Sequence, residues 1–219
     1  AKRQFNKKTF YIPHGVDWEL FRKSLDENIQ IPEDVCHLQH PVIGFYGFIS
    51  DDWIDFGLID YIARARPQWN LVLIGKSRID VKSRLPNENI YFLGVKDFNI
   101  LPSYNKVFDV AFIPFLLNKL TLSCNPLKLF EFFASGKPVV SVAIPEVIKY
   151  VPWVEIALSK EEFVDKIELA LKATSLDDKA MRSDMMKKND WNSRMEDISK
   201  VVEQVSLGRI NNHEPEITS

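Results

Sequence analysis

Short apolar runs alternate with amphipathic segments along most of the chain. The runs have strand length and are rich in β-branched and aromatic residues, which is typical of strands buried on both faces of a parallel sheet. Six strands are predicted, at Val42–Ile49, Trp69–Ile74, Ile90–Leu93, Asp109–Phe115, Val139–Ala143 and Val154–Leu158. A further β-prone segment, Thr9–Ile12, precedes them and is stopped by Pro13.

Helical spacing of apolar residues fills the intervals between these strands. The predicted helices are Trp18–Leu25, Asp52–Arg66, Ile100–Val107, Asn125–Ser135, Lys160–Thr174, Ser175–Asn189 and Trp191–Val205, with a helical turn at Pro145–Tyr150. Strands that alternate with helices predict an α/β fold with a doubly wound, Rossmann-like parallel sheet of about six strands and extra C-terminal helices. Ligands of such folds bind at the carboxyl ends of the strands.

The helix predicted over Asn125–Ser135 carries clear start and stop signals. Asn125 is a good N-cap, and Pro126 then occupies the first helical position, where its missing N–H costs nothing. Gly136 is expected to supply the left-handed residue that ends the helix.

A polar stripe interrupts the otherwise apolar surface of this helix. At about 100° per residue, Asn125, Lys128, Glu131 and Ser135 fall on one narrow face. One interpretation is a Lys128–Glu131 ion pair on a face open to water. The other is that the stripe faces a ligand, with the helix N-terminus offering amides to an anion.

Glycines and lysines follow the predicted strands, and they favour the ligand-facing interpretation. Gly47, Gly75 with Lys76, and Gly94 end three strands, and the loop Leu116–Cys124 follows the fourth. Lysines and helix amides suit phosphates, and a carboxylate one turn further suits sugar hydroxyls. Neither GxxxxGK[ST] nor a strict GxGxxG occurs, so a nucleotide diphosphate linked to another group is the predicted ligand.

Composition, charge and cysteine content exclude several classes of protein. The 219 residues are 46% hydrophobic and 12% aromatic, which excludes global disorder. The net charge of −2 offers no field for nucleic acid or an anionic membrane. Two distant cysteines, Cys36 and Cys124, suit a reducing compartment, so a cytoplasmic location is predicted. The basic first residues lack the apolar core of a signal peptide, and the early β-prone segment suggests a chain cut from something longer.

Two clusters of potential metal ligands suggest an alternative, a metal site. Three lie between Cys36 and His40, without a fourth ligand nearby. Three acids, Asp51, Asp52 and Asp55, precede a predicted helix, where acids are common in any case. No metal and no cofactor are predicted.

Six segments resemble the C-terminal, donor-binding domain of GT-B glycosyltransferases, most closely the large retaining group called family 4 or group 1. They are PHGVD (Pro13–Asp17), GFYGFIS, LVLIGK, IYFLGV, LPSYNKVFDVAFIPF and NPLKLFEFFASGKPVVS. The resemblance covers about residues 9–205, and its most specific part is FEFFASGKPVVS.

The resemblance assigns roles to individual residues. Glu131 matches the second acid of the family's E-x7-E motif and would bind the ribose, and Gly47 would approach the donor phosphates. The backbone of Val95 would meet the base, with Tyr104 lining that pocket. The amides that would hold the diphosphate are those of Asn125, Leu127 and Lys128.

The chain also departs from the family pattern. The first acid of E-x7-E is Ser123, and the family's arginine after the first strand is Phe48. Lysines at Lys76, Lys119 or Lys128 are the candidates to replace the lost positive charge.

The resemblance also implies a domain organisation and a reaction. Residues 1–13 would be the end of an interdomain linker, 14–174 the nucleotide-sugar-binding domain, 175–207 helices reaching toward an absent N-terminal domain, and 208–219 a polar tail. The predicted function is transfer of a sugar, with retention, to a saccharide or lipid-linked acceptor held by the absent domain. The isolated domain is expected to be inactive, and peripheral membrane association belongs to the full enzyme. The alternative is a non-catalytic nucleotide-sugar-binding or regulatory module.

Overall fold

Six parallel strands form a single sheet in the structure, a computed structural model that describes residues 9–173 and 175–206. The strands are β1 (Val42–Tyr46), β2 (Asn70–Ile74), β3 (Ile90–Phe92), β4 (Val110–Ile113), β5 (Val139–Val142) and β6 (Val154–Ala157). All six were predicted at these positions, and each is shorter than the apolar run that contains it. The β-prone segment at Thr9–Ile12 joins no sheet in the described part of the chain.

Helices connect the strands and cover both faces of the sheet. They are α1 (Trp18–Phe21), α2 (Phe56–Ala65), α3 (Val81–Arg84), α4 (Leu101–Val107), α5 (Leu127–Ala134), α6 (Pro145–Ile148), α7 (Lys160–Ala170), α8 (Leu176–Lys187) and α9 (Trp191–Ser206). Among the helices of residues 9–173 and 175–206, none combines the length and hydropathy that a membrane crossing requires.

The strand order is β3-β2-β1-β4-β5-β6, so β1, the first strand along the chain, lies at the centre of the sheet. The chain moves outward from β1 to β3, crosses back to β4 beside β1, and then moves outward on the other side. The register pairs Ile43 with Val110 across this central boundary. In doubly wound sheets the reversal leaves a crevice at the carboxyl ends of the two central strands.

Aromatic side chains pack the core on each side of the sheet. On one face, Phe112 of β4 meets Phe163 of α7 with ring centroids 6.5 Å apart. On the other face, Tyr46 of β1 meets Phe132 of α5 edge to face at 4.7 Å. The second contact matters for the site, because it fixes α5 against the end of β1.

Helix α5 begins one residue later than its capping signals predict. Pro126 is the N-cap, with ψ of 104°, and no side chain caps the helix. The predicted cap, Asn125, instead donates its side-chain amide to the Tyr11 hydroxyl at 3.3 Å. The assignment of Asn125 as N-cap and Pro126 as first helical residue is therefore wrong, because proline lacks an N–H equally at either position.

The end of α5 follows the prediction. Gly136 has φ of +70°, in the left-handed region that favours glycine. Its N–H donates to the Phe133 carbonyl at 2.7 Å, and Lys137 N–H donates to the Phe132 carbonyl at 2.9 Å. These two bonds form a Schellman motif, and they turn the chain directly into β5.

Replacing Gly75 with alanine is expected to destabilise the domain by about 2–4 kcal/mol. Gly75 has φ of +137°, and a Cβ there would lie 2.8 Å from the carbonyl carbon of Gly47. Because the obstacle is backbone at the end of β1, it cannot rotate away. Urea unfolding followed by circular dichroism measures the loss.

Gly94 provides the matched control for this prediction. It also has positive φ, +66°, but a Cβ there would meet nothing within 4 Å. Gly94→Ala is therefore expected to cost only about 1 kcal/mol, the cost of the backbone conformation alone. Equal losses for the two variants would show that the collision with Gly47 contributes nothing.

Candidate functional site

Three of the predicted site residues meet at the carboxyl end of β1. Tyr46 is the last residue of the strand, and Gly47 follows it. The side chain of Lys128, in the first turn of α5, crosses directly over Gly47, so that its Cδ lies 3.3 Å from where a Cβ on Gly47 would stand. One turn further along α5, Glu131 lies beside Lys128 and the Tyr46 side chain. The structure thus brings together the Lys128 cation, the Glu131 carboxylate and the backbone of Gly47, which has no side chain, at the centre of the sheet.

Glu131 lies in the protein interior rather than on a face open to water. Only 5% of the residue is exposed. Burial raises the pKa of its carboxyl group, while the charge of Lys128 and the nearby Tyr46 side chain act in the opposite direction. Lys128 and Glu131 do not appear among the ion pairs of the described residues. The interpretation of the stripe as a surface ion pair is therefore wrong.

The N-terminus of α5 leaves backbone amides available. Leu129 N–H donates to the Pro126 carbonyl at 3.0 Å. Within the described part of the chain, the N–H groups of Asn125, Leu127 and Lys128 have no hydrogen-bond acceptor. Unpaired amides at the positive end of a helix dipole can bind an anion. These three groups are the ones that the sequence predicts for the diphosphate.

The residues predicted for the base lie at the end of β3 and on α4. Val95 is 70% exposed, and the space above the neighbouring Gly94 is open. Tyr104 is nearly fully buried, and its hydroxyl donates to the Asp34 carboxylate at 3.0 Å. Lys96 forms an ion pair with the same carboxylate at 2.7 Å. Because Tyr104 is buried, it can pack beneath a pocket beside Val95 but cannot contact much of a ligand there. Val95 itself is accessible.

An ion pair and a hydrogen bond hold Lys96 and Tyr104 against Asp34. Burial raises the pKa of Asp34, but hydrogen bonds from Lys96 and Tyr104 outweigh it, and the pKa lies below its ordinary value. The carboxylate is thus ionised at neutral pH and keeps both partners in place. The sequence gives no sign that Lys96 pairs with Asp34, because 62 positions separate the two residues.

Lys76 lies beside the segment that follows Gly47. It is exposed after β2, and its backbone carbonyl accepts from Ile49 N–H at 2.9 Å. No contact among the described residues joins its side chain to Lys128. Lys119 is likewise exposed, on the loop between β4 and α5.

The loop between β4 and α5 is ordered by its own hydrogen bonds. The Asn118 side chain accepts from Leu120 N–H at 2.9 Å and donates to the Asp52 carbonyl at 2.9 Å. Ser123, at the position of the family's first acid, is exposed and donates its hydroxyl to the Lys119 carbonyl at 3.2 Å. No carboxylate replaces the missing acid at this point of the chain.

Phe48 is stacked against a cation, Arg78, that the sequence did not reveal. The guanidinium carbon of Arg78 lies 5.1 Å from the centre of the Phe48 ring. Backbone pairing of Arg78 N–H with the Ile49 carbonyl at 3.1 Å fixes the two segments side by side. Arg78 therefore brings a positive charge to the residue that follows Gly47, where the family pattern would place an arginine directly.

Neither alternative metal cluster is formed. In the described ranges, no group of three or more His, Cys, Asp or Glu side chains is placed to hold a metal ion. Asp51 pairs with Arg84 at 3.2 Å, and Asp55 caps α2 by accepting from Leu58 N–H at 2.8 Å. In the other cluster, His40 bonds to Asp109 at 2.6 Å. Both cysteines are free.

The order of the six parallel strands and the crevice at their centre fit a GT-B-type glycosyltransferase domain. A sequence model of the family described as "Glycosyl transferases group 1" matches residues 40–173. The chain belongs to this family.

Comparison with individual proteins agrees with the family. The chain is 29% identical over 206 residues to TuaH of Bacillus subtilis (strain 168), whose name provisionally assigns it to teichuronic acid biosynthesis as a glycosyltransferase. The match covers 89% of this chain and 50% of TuaH, so the chain spans about half the length of this relative.

Two solved structures show the same fold. Anabaena HepE, crystallised with UDP and glucose, has a TM-score of 0.66 at 18% identity, covering 88% of this chain and 56% of HepE. Sucrose-phosphate synthase from Thermosynechococcus elongatus has a TM-score of 0.67 at 15% identity, covering 90% of this chain and 52% of that one.

Proposed function

We propose that this domain binds the nucleotide diphosphate part of a nucleotide-sugar, and that the longer protein transfers the sugar to an acceptor with retention at the anomeric carbon. The observation that carries the proposal is the meeting of Gly47, Lys128 and Glu131 at the end of β1. Each supplies what one part of the ligand requires: open backbone and a cation for phosphates, and a carboxylate for ribose hydroxyls.

Charge stabilisation of the leaving diphosphate is the proposed source of catalysis by this half. The unpaired amides of Leu127 and Lys128 and the ammonium group of Lys128 would face the negative charge that develops as the bond to the sugar breaks. Arg78 would add a second cation from its position on Phe48. Orientation of donor and acceptor between two domains would contribute the rest. A general base, if one is used, would come from the acceptor domain or from a substrate phosphate.

A second domain is proposed to cover the outer face of α9. No described residue of this helix is buried, and Trp191, Met195, Val202 and Val205 are each about half exposed. Their spacing places them on one side of the helix. Because the chain spans about half the length of its relatives, this apolar face fits an N-terminal domain that holds a saccharide or lipid-linked acceptor, in a cytoplasmic enzyme.

A thermal-shift screen of the 219-residue chain tests donor binding. We expect at least one of UDP, GDP and ADP, or a sugar conjugate of it, to raise the unfolding temperature by about 5–10 °C at a concentration near 100 times its Kd. UDP and UDP-glucose come first, because HepE has been crystallised with UDP-glucose.

Inorganic pyrophosphate and the free nucleosides at equal ionic strength are the controls for this screen. They carry only one part of the ligand each, so they should stabilise the chain less than the nucleotide diphosphate. A screen in which no nucleotide diphosphate exceeds pyrophosphate would refute the proposal.

The second candidate function is a non-catalytic nucleotide-sugar-binding module. The exposed Ser123 favours it, because the family's first acid is absent and no carboxylate takes its place in the loop. The two candidates differ in the full-length protein: sugar transfer measured by release of nucleoside diphosphate supports the enzyme, and binding without release supports the module.

A further inference from the structure

Tyr11 holds the side chain of Asn125, which lies just before the first turn of α5. The Asn125 side-chain amide donates to the Tyr11 hydroxyl at 3.3 Å, and that hydroxyl donates to the Glu146 carboxylate of α6 at 3.3 Å. Because the only proton of the hydroxyl is directed to the carboxylate, it can serve Asn125 only as an acceptor. The Asn125 side chain is therefore bonded to the segment that precedes α1, and it does not cap α5.

Tyr11 is itself fixed by contacts with the helices around it. Lys149 pairs with Glu146 at 2.6 Å, and its ammonium group lies 5.8 Å from the centre of the Tyr11 ring. Three residues further along the chain, the His14 carbonyl accepts from the Arg194 side chain at 3.2 Å. The position of Tyr11 is thus set by α6 and α9 rather than by α5.

The contact with Tyr11 bears on two backbone amides of α5. An asparagine before a helix ordinarily acts as its N-cap, and its side-chain oxygen then accepts from the second or third amide of the helix. With Asn125 as N-cap and Pro126 as the first helical residue, those amides would be the N–H groups of Leu127 and Lys128. In the described part of the chain neither group has an acceptor. The helix therefore lacks the cap that its sequence could supply, at the place where the diphosphate is proposed to bind.

We propose that Tyr11 is a positioning residue, which holds Asn125 away from α5 and so keeps the Leu127 and Lys128 amides free for a diphosphate. This inference rests on the proposed function, because the diphosphate is the ligand that those amides would bind. Without the Tyr11 hydroxyl, the Asn125 side chain would turn to cap the helix. The anion would then have to displace the cap before it could bind.

Tyr11→Phe tests the proposal, because it removes the hydroxyl and keeps the ring beside Lys149. Tyr11 is about half exposed, so the variant should fold. UDP, GDP and ADP are each titrated by calorimetry into the 219-residue chain, and the affinity of the one that binds is expected to fall about two- to fivefold. The affinity for inorganic pyrophosphate should fall by a similar factor, while the free nucleoside should bind as before.

Hydrogen exchange of the unliganded chain tests the capping directly. The amide proton of Leu127 or Lys128, followed by ¹⁵N NMR, should exchange about two- to fivefold more slowly in Tyr11→Phe, because it gains an acceptor. Tyr61→Phe on α2 is the matched control, and it should change neither this exchange nor the nucleotide affinity.

The double variant Tyr11→Phe/Asn125→Ala distinguishes the release of a cap from the loss of a support. Alanine at position 125 cannot cap the helix, so the double variant should bind the nucleoside diphosphate more tightly than Tyr11→Phe alone. If the bond between Tyr11 and Asn125 merely supported the turn, the double variant would bind no more tightly than the single one. That result would show the inference to be wrong.

The outcomes also separate the inference from the proposed function. If the unaltered chain binds and Tyr11→Phe changes neither affinity nor exchange, the inference alone is wrong. A lower unfolding temperature with unchanged affinity and exchange leads to the same conclusion, since Tyr11 would then only support the fold. If the unaltered chain binds none of the three nucleoside diphosphates, the proposed function fails, and the free amides lose the ligand assigned to them.

Discussion

Replacing Glu131 with glutamine is expected to weaken nucleoside diphosphate binding by about 10- to 100-fold, while raising the thermal stability of the unliganded domain at neutral pH. The loss follows from hydrogen bonds between ribose hydroxyls and a charged carboxylate, worth about 1.5–3 kcal/mol. An amide offers one acceptor in place of two, and it has no charge. Calorimetric titration measures the affinity, and thermal unfolding at several pH values measures the stability.

The opposite sign for stability follows from the pKa of Glu131. Burial raises this pKa above the ordinary value of 4.5, so the folded state keeps the proton to higher pH than the unfolded state does. Between the two values the folded state binds more protons, and stability falls as the pH rises. The stability gained by Glu131→Gln should therefore be complete above the raised pKa and disappear below pH 4.5.

Glu203, exposed on α9, provides the control for this pair of effects. Glu203→Gln should change neither affinity nor the pH dependence of stability. Unchanged affinity in Glu131→Gln would remove the ribose role. A variant that is less stable than the parent at neutral pH would instead show that Lys128 and Tyr46 more than compensate for the burial of the carboxylate.

Strand positions were predictable because each buried strand is an apolar run bounded by glycine, proline or polar residues. The ends of the strands were less predictable, because the apolar runs continue beyond the last residue that pairs with a neighbouring strand. In β1 the run extends to Ile49, but the strand ends at Tyr46, and Ile49 pairs only through an isolated bridge to Ser77, beyond the end of β2. The segment at Thr9–Ile12 shows the converse: its composition favours a strand, but it belongs to no sheet among the described residues.

The gathering of Gly47, Lys128 and Glu131 was predictable from topology. Parallel strands with alternating helices bring the end of the first strand beside the helix that follows the fourth, and the polar stripe identifies the face. Burial of Glu131 was not predictable, because an i,i+3 Lys–Glu pair has the same sequence pattern whether its carboxylate faces water or the protein interior.

The buried polar side chains near Glu131 could not be predicted from local sequence patterns. Tyr46 belongs to an apolar strand and Asn105 to a short helix, and each has a spacing that predicts only a core position. Their hydrogen bonds join positions 59 and 30 residues apart. The stacking of Arg78 on Phe48 is of the same kind, since it depends on the pairing of two segments after their strands have ended.

Replacing Lys128 with methionine is expected to lower the affinity for a nucleoside diphosphate about tenfold or more and to leave the affinity for the free nucleoside nearly unchanged. The methionine keeps an unbranched stem across Gly47 and removes only the charge that would meet the phosphates. The variant should also show a weaker dependence of diphosphate affinity on salt, because one charged contact is lost. Calorimetric titrations of both ligands at two ionic strengths measure these effects.

Lys128→Met has a second expected consequence that ties the phosphate and ribose contacts together. The charge of Lys128 lowers the pKa of Glu131, so its removal should raise the pH at which acid abolishes binding of the nucleotide diphosphate. Lys200→Met on α9, where the lysine is exposed, should change neither the affinity nor this pH. Equal losses for nucleoside and nucleoside diphosphate would show that Lys128 does not contact the phosphates, and Arg78 would then be the cation to test in its place.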